Sequence, residues 1–375
     1  MKKVLIIGQS EIKIDPRVHR QVIGLLNHCE VHILGPDPFP DARVYFHDIN
    51  VKVEDDRSIL AKIKRLGPYL FDNFKYKYFR NPSYSHNVEK LKKIDFDLII
   101  NNEVFTLPLA EAIRGKKSKV HWDAHEYYYS YYADQLQHEN KNKYINFLLN
   151  RYVPKLDSFS TVCDGIADLY KNKFNRPVAT LENLPVKTDI NPSKINGRIK
   201  LVHHGAGLRD RKLENMFELM KFLSPDKFEF HIYLTNNQPE YMKELKSTYD
   251  FEHVFFHDPV PMTEIVNEIN QYDIGICIVP HTNENYRFGL PNKFFEFIQA
   301  RLMIIVNEGE EMPKIVRKHN LGLVVNSQDP KEIAEIVSQL TPETIDRFKK
   351  ASHDQAAFFS ATKIYSYYKT MIGVN

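Results

Sequence analysis

The stretch LVHHGAGLRDRKLENMFELMKFL (Leu201–Leu223) decides the fold of this chain. It begins with a short apolar strand pattern, Leu201–His204, and continues through a loop with two glycines and several basic residues. It ends in an amphipathic stretch of helical period, Leu213–Leu223. A buried strand, a glycine turn and a helix in this order form the βα unit of a parallel sheet. The sequence therefore predicts a Rossmann-like unit here.

The same alternation extends in both directions along the chain. Further apolar strand patterns lie at Val4–Gly8, Val31–Gly35, Leu98–Asn101, Val120–Asp123, Phe159–Cys163, Glu229–Leu234, His253–Phe256, Ile274–Val279, Met303–Val306 and Leu323–Val325. Amphipathic stretches such as Pro16–His28 and Pro261–Gln271 separate them. Short apolar strands that alternate with helices indicate parallel sheets covered by helices on both faces.

The length of 375 residues predicts two domains. The segment Leu184–Arg198 is polar, has no hydrophobic period and contains two prolines and a glycine, which is typical of a linker. We therefore expect a first domain over residues 1–184, a linker over 185–198 and a second domain over 199–353. The remaining residues, 354–375, are rich in aromatics and predict a final helix that crosses back to the first domain.

Composition excludes several classes of protein. The chain is 43% hydrophobic and 26% charged, which is typical of globular domains. It has no run of about 18 apolar residues that would span a bilayer, and the apolar run near its start is too short for a signal peptide. The three cysteines fit neither a disulfide framework nor a zinc site. These features predict a reducing, cytoplasmic location.

The small net charge of +3 is unevenly distributed. Between Ala61 and Lys93, nine basic residues face two acidic ones, and aromatic residues lie among them. This composition suits contact with an anionic membrane surface, which would be the inner face of the cytoplasmic membrane. A solvated helix face with aromatics in the core is the alternative. A nucleic-acid partner is not expected, because the basic excess is small and local.

Two polar clusters in the second half follow predicted strands. The first contains Gly205, Gly207 and Arg211; glycines let a ligand approach the backbone, and arginine binds phosphate. In the second, Pro291 predicts a helix start and Lys293 and Glu296 share a helix face. Lysine suits a diphosphate, and glutamate suits paired ribose hydroxyls. The alternatives are a basic turn for the first cluster and a surface ion pair for the second.

Three polar clusters in the first half also follow predicted strands. They are Gly8–Ser10, Asn101–Glu103 and Trp122–Glu126. In the last of these, His125 is suited to bind hydroxyl groups, although it fits a packing role as well. Ligands of open α/β sheets bind beyond the carboxyl ends of the strands, so we expect these clusters to line a cleft between two facing domains.

Six motifs in order resemble the GT-B fold glycosyltransferases of family 4, a retaining family that includes bacterial polysaccharide enzymes. The LPNK motif and the segment before it are the most specific of the six. The motifs are DPRV (Asp15–Val18), DAHE (Asp123–Glu126), TVCDGIADLY (Thr161–Tyr170), HHGAGLRDRKL (His203–Leu213), FFHDPVPMTEIVNEINQYDIGICIVP (Phe255–Pro280) and LPNKFFEFIQA (Leu290–Ala300).

The resemblance implies an α/β, GT-B architecture of two Rossmann-like domains facing across a cleft. The second domain would bind a UDP- or GDP-sugar as donor substrate, with no cofactor and no metal. His125, Arg211 and Lys293 would act in catalysis. Residues implied to contact the donor are Gly205, Gly207, Arg211, Val260, Asn292, Lys293 and Glu296. Residues implied on the acceptor side are Gly8, Asp15, Arg17, Glu103, Asp123 and Glu126.

The implied reaction transfers a sugar, with retention of its anomeric configuration, to a saccharide or lipid-linked saccharide. The product would belong to a capsule, a lipopolysaccharide or another surface glycan. One departure concerns the two glutamates that the family places eight positions apart: Glu296 fits the second, but Phe288 occupies the first position. A nucleotide-sugar 2-epimerase and a catalytically silent subunit of a heteromeric transferase remain the alternatives.

Overall fold

The computed structural model describes residues 1–50, 82–130 and 139–374. The chain forms two compact units. The first comprises Met1–Glu182 together with Thr362–Asn375, and the second comprises Asn183–Ala361.

The first unit is a seven-stranded parallel sheet with helices between its strands. Its strands are β1 (Lys3–Ile7), β2 (Glu30–Gly35), β3 (Tyr45–Asp48), β4 (Leu98–Asn101), β5 (Lys119–Ala124), β6 (Ser158–Thr161) and β7 (Ala179–Thr180), in the order β3-β2-β1-β4-β5-β6-β7. Its helices are α1 (Pro16–Leu25), α2 (Pro82–Leu91), α3 (Leu107–Ile113), α4 (Glu139–Tyr152), α5 (Asp164–Phe174) and, from the end of the chain, α14 (Thr362–Met371).

The second unit repeats this design with six strands. They are β8 (Ile199–Ala206), β9 (Phe228–Thr235), β10 (Val254–His257), β11 (Ile274–Cys277), β12 (Met303–Asn307) and β13 (Gly322–Val325), in the order β10-β9-β8-β11-β12-β13. Its helices are α6 (Glu214–Met220), α7 (Pro239–Thr248), α8 (Ile265–Ile269), α9 (Glu284–Arg287), α10 (Asn292–Gln299), α11 (Met312–His319), α12 (Pro330–Ser338) and α13 (Pro342–Gln355). Both orders are doubly wound, as in Rossmann folds.

Two short strands at the sheet edges, β3 and β7, were not predicted. The sequence of β3 is Tyr-Phe-His-Asp and leaves Tyr45 54% exposed, so it has no apolar run. β7 has only two residues. An edge strand needs less apolar surface than a central one, and strands this short carry little periodic signal.

The second strand of each sheet carries the same polar chain. A glutamate bonds the histidine two residues later, and that histidine bonds another histidine on the neighbouring strand, with a distance of 2.9 Å between the two imidazoles in each sheet. The two chains are Glu30–His32–His47 and Glu229–His231–His257. Each histidine bond thus satisfies polar groups at equivalent places in the two sheets.

Helix α10 is held rigidly because most of its side chains are buried. Phe294, Phe295, Phe297 and Ile298 all have 0% exposure. Burial of each such side chain stabilises the fold by roughly 1.5–3 kcal/mol. The polar residues that share this short helix therefore have a fixed backbone beneath them.

The predicted linker has neither helix nor strand between Leu184 and Arg198, but it belongs to the second unit. The backbone N–H of Thr188 donates to Oε1 of Gln299, and the buried ammonium of Lys349 donates to Ser193 at 2.9 Å. Lys349 also pairs with Asp273 at 3.0 Å. These bonds attach the segment to the second unit along its length.

The predicted single helix over residues 354–375 is instead interrupted. Asp354 belongs to the end of α13, and α14 starts only at Thr362. The amide of buried Gln299 donates to the backbone carbonyls of Ala356 and Phe359 at 2.6 and 2.9 Å. These tertiary bonds satisfy carbonyl groups at the end of α13 that would otherwise lack partners.

Candidate functional site

Several predicted site residues of the second unit lie where the strand order of its sheet reverses, between the central strands β8 and β11. Ligands of doubly wound sheets bind beyond the carboxyl ends of the strands at such a switch point. β8 pairs with β11 only through Leu201 and Val202, whereas it follows β9 as far as Ala206. The carboxyl end of β8 therefore extends past its last pairing with β11.

Gly205 lies at this end of β8 and has a backbone φ of +136°. A β-carbon on residue 205 would stand 2.9 Å from Nζ of Lys293 and 3.6 Å from Nη1 of Arg211. A side chain there would be strained by the backbone and would also collide with the lysine. The structure thus brings three predicted site residues together, with two cations beside bare backbone.

Lys293 is the second residue of α10 and is only 7% exposed. Its Nζ lies 3.0 Å from Nε2 of His203. Burial lowers the pKa of Lys293 to about 8; the nearby Cys277 raises it somewhat, and the positive charge of Arg211 lowers it further. A buried ammonium with one neutral partner is a group prepared to receive an anion.

Arg211 comes from the short turn Arg209–Arg211 ahead of α6 and is partly exposed. Within the described residues, no carboxylate forms an ion pair with it. By contrast, Arg209 is paired with Glu244 and lies over the ring of Tyr241. Of these two arginines, Arg211 is therefore the one available to a phosphate.

Glu296 lies one turn after Lys293 on α10 and is 8% exposed. Its Oε2 lies 3.4 Å from Nε2 of His204. Burial, together with the charge of Lys293, lowers the pKa of His204 to about 3, so this imidazole is neutral at pH 7. Asn292, the first residue of α10, has a buried Oδ1 without a hydrogen-bond partner among the described residues.

Gly207 has a packing role of its own. A β-carbon there would collide with Sδ of Met242 and would stand 2.8 Å from the carbonyl oxygen of Thr235. Its N–H donates to that carbonyl. The close approach of β9 and α7 thus requires this glycine, and its contact with a donor stays a prediction.

Val260 lies in the segment that follows β10, the edge strand that lies two strands from β8, and is partly buried. A cavity of about 600 Å³ lies beside this segment. It is lined by Phe256 of β10 and by Asp258 and Pro259, which follow that strand. Residues of α7 such as Met242 and Lys246 line its other side. The segment therefore borders space at the carboxyl edge of the sheet.

Phe288, which stands where the resemblance leads one to expect a glutamate, follows helix α9. The guanidinium of Arg287 lies 5.2 Å from its ring centroid. Glu284 lies one helical turn earlier and has a buried Oε2 that has no hydrogen-bond partner in the described parts of the chain, although Nη1 of Arg287 is 3.9 Å away. Helix α9 therefore carries a carboxylate, that of Glu284, one turn before position 288, where the resemblance leads one to expect a glutamate.

The first sheet also has polar residues at its switch point, between β1 and β4. Glu103 follows β4, and its Oε1 accepts the N–H of Gln9, next to Gly8, at 3.0 Å. Its Oε2 is buried, and no described residue bonds it. Burial raises the pKa of Glu103 to about 7, with a contribution from the negative charge of Asp15. A carboxyl group with such a pKa can exchange a proton near neutral pH.

Arg17 and Asp123, both predicted on the acceptor side, form a buried ion pair with each other. Nε and Nη2 of Arg17 donate to the two carboxylate oxygens at 2.6 and 2.5 Å. Ser160 and Tyr368 also donate to Asp123. Burial opposes ionisation of Asp123, but the charge and the hydrogen bonds of Arg17 keep its pKa well below its usual range. The geometry supports a positioning role for this pair.

Asp15, His125 and Glu126 differ in their surroundings. Asp15 caps α1 by accepting the N–H of Arg17 at 2.9 Å. His125 is partly buried, and its Nε2 lies 3.2 Å from Oδ1 of Asn102. Burial lowers the pKa of His125 to about 4, as does Arg17, so the ring is neutral at pH 7. The backbone carbonyl of Glu126 accepts the hydroxyl of Tyr170.

Two observations concern metals and membranes. No group of acidic, histidine or cysteine side chains in residues 1–50, 82–130 and 139–374 is arranged to hold a metal ion. No helix in that part of the chain is long and apolar enough to cross a bilayer. Most of the basic segment 61–93 lies outside the described residues; of its remainder, Pro82–Leu91 is helix α2.

The sequence predicted no site role for His203 and His204, although they begin the motif His203–Leu213 and both contact predicted site residues. They stand directly before Gly205, and a pair of histidines at the end of an apolar strand was the available signal. Their partners, Lys293 and Glu296, are about ninety residues further along the chain. Only the fold brings these residues together.

Comparison with known proteins supports the fold and, over part of the chain, a family. Residues 200–342 match the family model described as glycosyl transferases group 1. Comparison with curated protein sequences finds no relative of this chain. The family match lies within the second unit and leaves the first unit unassigned.

Solved structures match over both units. Anabaena HepE in complex with UDP-glucose is 13% identical, with a TM-score of 0.71 over 99% of each chain. The lipopolysaccharide outer core galactosyltransferase WaaB is 14% identical, with a TM-score of 0.57 over 95% of this chain and 99% of its own. A TarM variant from S. aureus, in complex with fondaparinux, alpha-GlcNAc-glycerol and UDP, is 14% identical, with a TM-score of 0.62. That match covers 78% of this chain and 59% of the TarM chain. The predicted GT-B fold, with two Rossmann-like parallel-sheet units, is confirmed.

Proposed function

We propose that this protein is a glycosyltransferase that moves a sugar from a UDP- or GDP-sugar to a saccharide or lipid-linked saccharide acceptor. The observation that carries the proposal is the pair of cations, Lys293 and Arg211, beside the bare backbone of Gly205. The pair lies at the switch point of the sheet, where ligands of such folds bind. The family match over residues 200–342 supports the same activity.

In the proposed reaction, the bond between the anomeric carbon and the diphosphate breaks as the bond to the acceptor oxygen forms. Lys293 and Arg211 neutralise the charge that develops on the diphosphate, which is commonly the largest catalytic contribution. The sugar passes through an oxocarbenium-like state. With retention of configuration, the acceptor hydroxyl proton goes to an oxygen of the departing phosphate. No metal is part of this scheme.

The other residues have narrower proposed roles. Glu296 and the orphan Oδ1 of Asn292 would accept hydroxyl or amide hydrogens of the nucleoside. Val260 would contact the base. His125 would bind sugar hydroxyls as a neutral imidazole, and Glu103 would accept a hydrogen bond from an acceptor hydroxyl.

A screen of UDP-, GDP-, ADP- and CMP-sugars by thermal shift tests the donor class. A ligand at 100 times its dissociation constant stabilises the folded state by about 2.7 kcal/mol. For a domain of this size, such a stabilisation raises Tm by roughly 5–10 °C. A rise with a UDP- or GDP-sugar supports the proposal, and no rise with any of the four contradicts it.

A product assay with the donor identified by that screen separates the alternatives. A 2-epimerase converts the nucleotide sugar without an acceptor, whereas a transferase releases nucleoside diphosphate only as the acceptor is glycosylated. A silent subunit would retain the activity of its complex after Arg211→Ala and Lys293→Ala substitutions. The surface-glycan pathway and a cytoplasmic location at the inner membrane face are part of the same proposal.

A further inference from the structure

The contacts of His203 determine where the proton on its ring must be. Its Nδ1 lies 2.8 Å from the carbonyl oxygen of Ile276, which can only accept a hydrogen bond. Its Nε2 lies 3.0 Å from Nζ of Lys293, which as an ammonium can only donate. Both bonds form together only when the ring is neutral and carries its hydrogen on Nδ1. Burial and the charge of Lys293 hold the pKa of His203 well below its usual range, in agreement with this form.

The imidazole occupies the place where β8 and β11 stop pairing. The last pair in the register between these strands is Val202 with Gly275. At the next residue of each strand, the ladder of backbone hydrogen bonds has ended. There, Nδ1 of the His203 ring bonds the carbonyl oxygen of Ile276. A carbonyl of β11 thereby fixes the orientation of the ring, and a fixed ring fixes the direction of its second nitrogen.

The contact with Nε2 of His203 holds the ammonium of Lys293 beside the backbone of Gly205, which carries no side chain. With His203 as one acceptor, Nζ stands 2.9 Å from the position that a β-carbon of residue 205 would take. The other titratable or charged groups near Lys293 are Cys277 on β11, His204 on β8, Arg211 on its turn and Glu296 on the same helix. Without an acceptor at residue 203, the flexible lysine side chain would lose the bond that holds it at the glycine.

We propose that His203 is a positioning residue that holds the Lys293 ammonium at Gly205, where it receives the diphosphate of the donor. The proposal rests on the proposed function for its ligand, but the contact itself is a property of the free protein. His203 acts through Lys293 and need not touch the donor.

Two variants each keep one of the two hydrogen bonds of His203 and remove the other. In His203→Gln, the side-chain amide reaches the place of Nε2 and keeps an acceptor for Lys293. In His203→Asn, the shorter amide reaches the place of Nδ1 and keeps the bond to Ile276 but leaves Lys293 without its acceptor. A purely structural role predicts that His203→Asn is the milder change, whereas the positioning role predicts the opposite. His253→Asn, at another buried histidine of the second unit that bonds the Met220 carbonyl, is the matched control.

Two measurements on the full-length variants test the proposal. The first is the dissociation constant for UDP and for GDP by calorimetry, with Tm recorded for each variant. The second is the rate of acylation of Lys293 by acetic anhydride as a function of pH, followed by peptide mass spectrometry on the free protein. We expect His203→Asn to weaken nucleotide binding about tenfold or more and to speed acylation of Lys293 at pH 7. His203→Gln should stay within about threefold of wild type in both, and the His253 variant should match wild type.

The opposite outcomes are distinct from each other. If both His203 variants bind nucleotide and acylate like wild type, the positioning role is wrong. It is also wrong if both weaken binding in proportion to their loss of Tm, because the imidazole then serves only to bridge the strands. If wild type binds neither UDP nor GDP, the proposed function fails, and the acylation profiles alone still decide whether His203 positions Lys293.

Discussion

The Nζ of Lys293 lies 2.9 Å from the point where a β-carbon of Gly205 would stand, although the two residues are 88 positions apart (293 − 205). The lysine thus approaches the backbone at the one kind of residue that allows it. An anion bound there would contact the ammonium and the backbone of the glycine loop at once.

Gly205→Ala should weaken UDP or GDP binding by at least tenfold, because the methyl group takes the space next to Nζ and Nη1 of Arg211. The variant should also lose about 1–3 kcal/mol of stability from its positive φ. Gly197→Ala is the control, since Gly197 has a φ of +77° but nothing within 4 Å of its β-carbon position. Scanning calorimetry should show a loss of stability in both variants. Titration calorimetry should show a loss of nucleotide affinity in Gly205→Ala alone. Equal affinities for the two variants would contradict a ligand at Gly205.

Nucleotide affinity should fall as pH rises above about 8, the pKa of Lys293 in the free protein. Above this pH, binding must first restore a proton to the amine, so the dissociation constant should rise by up to tenfold per pH unit. Because of this lowered pKa, the folded state binds fewer protons than the unfolded state between pH 8 and 10.5. The contribution of Lys293 to the free energy of unfolding therefore increases as pH rises through that range.

Lys293→Arg is the comparison for the pH measurement. Arginine stays protonated throughout, so the variant should show no inflection near pH 8 in calorimetric titrations from pH 7 to 9.5. A wild-type affinity that is constant over this range would show that Lys293 does not contact the bound anion.

Arg17→Ala should destabilise the first unit by about 3–5 kcal/mol, because Asp123 would stay buried without its partner. Arg43→Ala is the matched control: it removes an arginine from a carboxylate pair with Asp41, with the arginine 61% exposed, and should cost less than about 1 kcal/mol. Urea unfolding followed by circular dichroism measures both.

The ion pair also has a pH dependence of known sign. The pKa of Asp123 is held below its unfolded value, so its stabilisation is present at neutral pH and is lost as pH falls below the usual carboxylate range. The stability difference between wild type and Arg17→Ala should therefore shrink on acidification. A difference that grows towards acid would contradict this assignment.

Glu103→Gln should change the pH profile of transfer. With a pKa of about 7, Glu103 gains its charge as pH rises through neutrality, and a charged carboxylate accepts a stronger hydrogen bond from an acceptor hydroxyl than a protonated one does. We expect the rise of kcat/KM near pH 7 in wild type to disappear in the variant. Glu89→Gln, at an exposed position on α2, should retain the wild-type profile.

The stability of the same variant gives an independent reading. Because the pKa of Glu103 is raised, its unfavourable burial as a charged group destabilises the fold as pH rises from 4.5 through 7. At pH 8, Glu103→Gln should be more stable than wild type by about 1–3 kcal/mol. Unchanged stability together with an unchanged kcat/KM profile would remove Glu103 from the reaction.

The basic segment 61–93 should bind anionic vesicles. Replacement of Lys75, Lys77 and Arg80 by glutamine should reduce co-sedimentation with phosphatidylserine vesicles by at least tenfold, since each basic residue contributes roughly 1 kcal/mol at such a surface. Replacement of Lys116 and Lys117, an exposed basic pair elsewhere in the first unit, is the control. Wild-type protein that sediments equally with neutral and anionic vesicles would contradict membrane contact.

The sequence by itself determined the local structure of this protein. The alternation of short apolar strands with amphipathic stretches predicted the α/β class, because burial on both faces of a parallel sheet imposes that pattern on neighbouring residues. It also predicted the start of α10 near Pro291 and the glycine turn after β8. Those features depend on residues within a few positions of each other.

The tertiary structure alone decided which distant residues meet. The sequence showed neither that Gln299 would satisfy carbonyls at the end of α13, nor that Arg17 would pair with Asp123. It did not indicate that β8 and β11 would separate after two pairs and let His203 reach Lys293. Periodicity records the burial of each residue but not the identity of its neighbours, and strand order and register fix those neighbours. The residue types at Gly205 and Lys293 were visible in the sequence, whereas their proximity came from the fold.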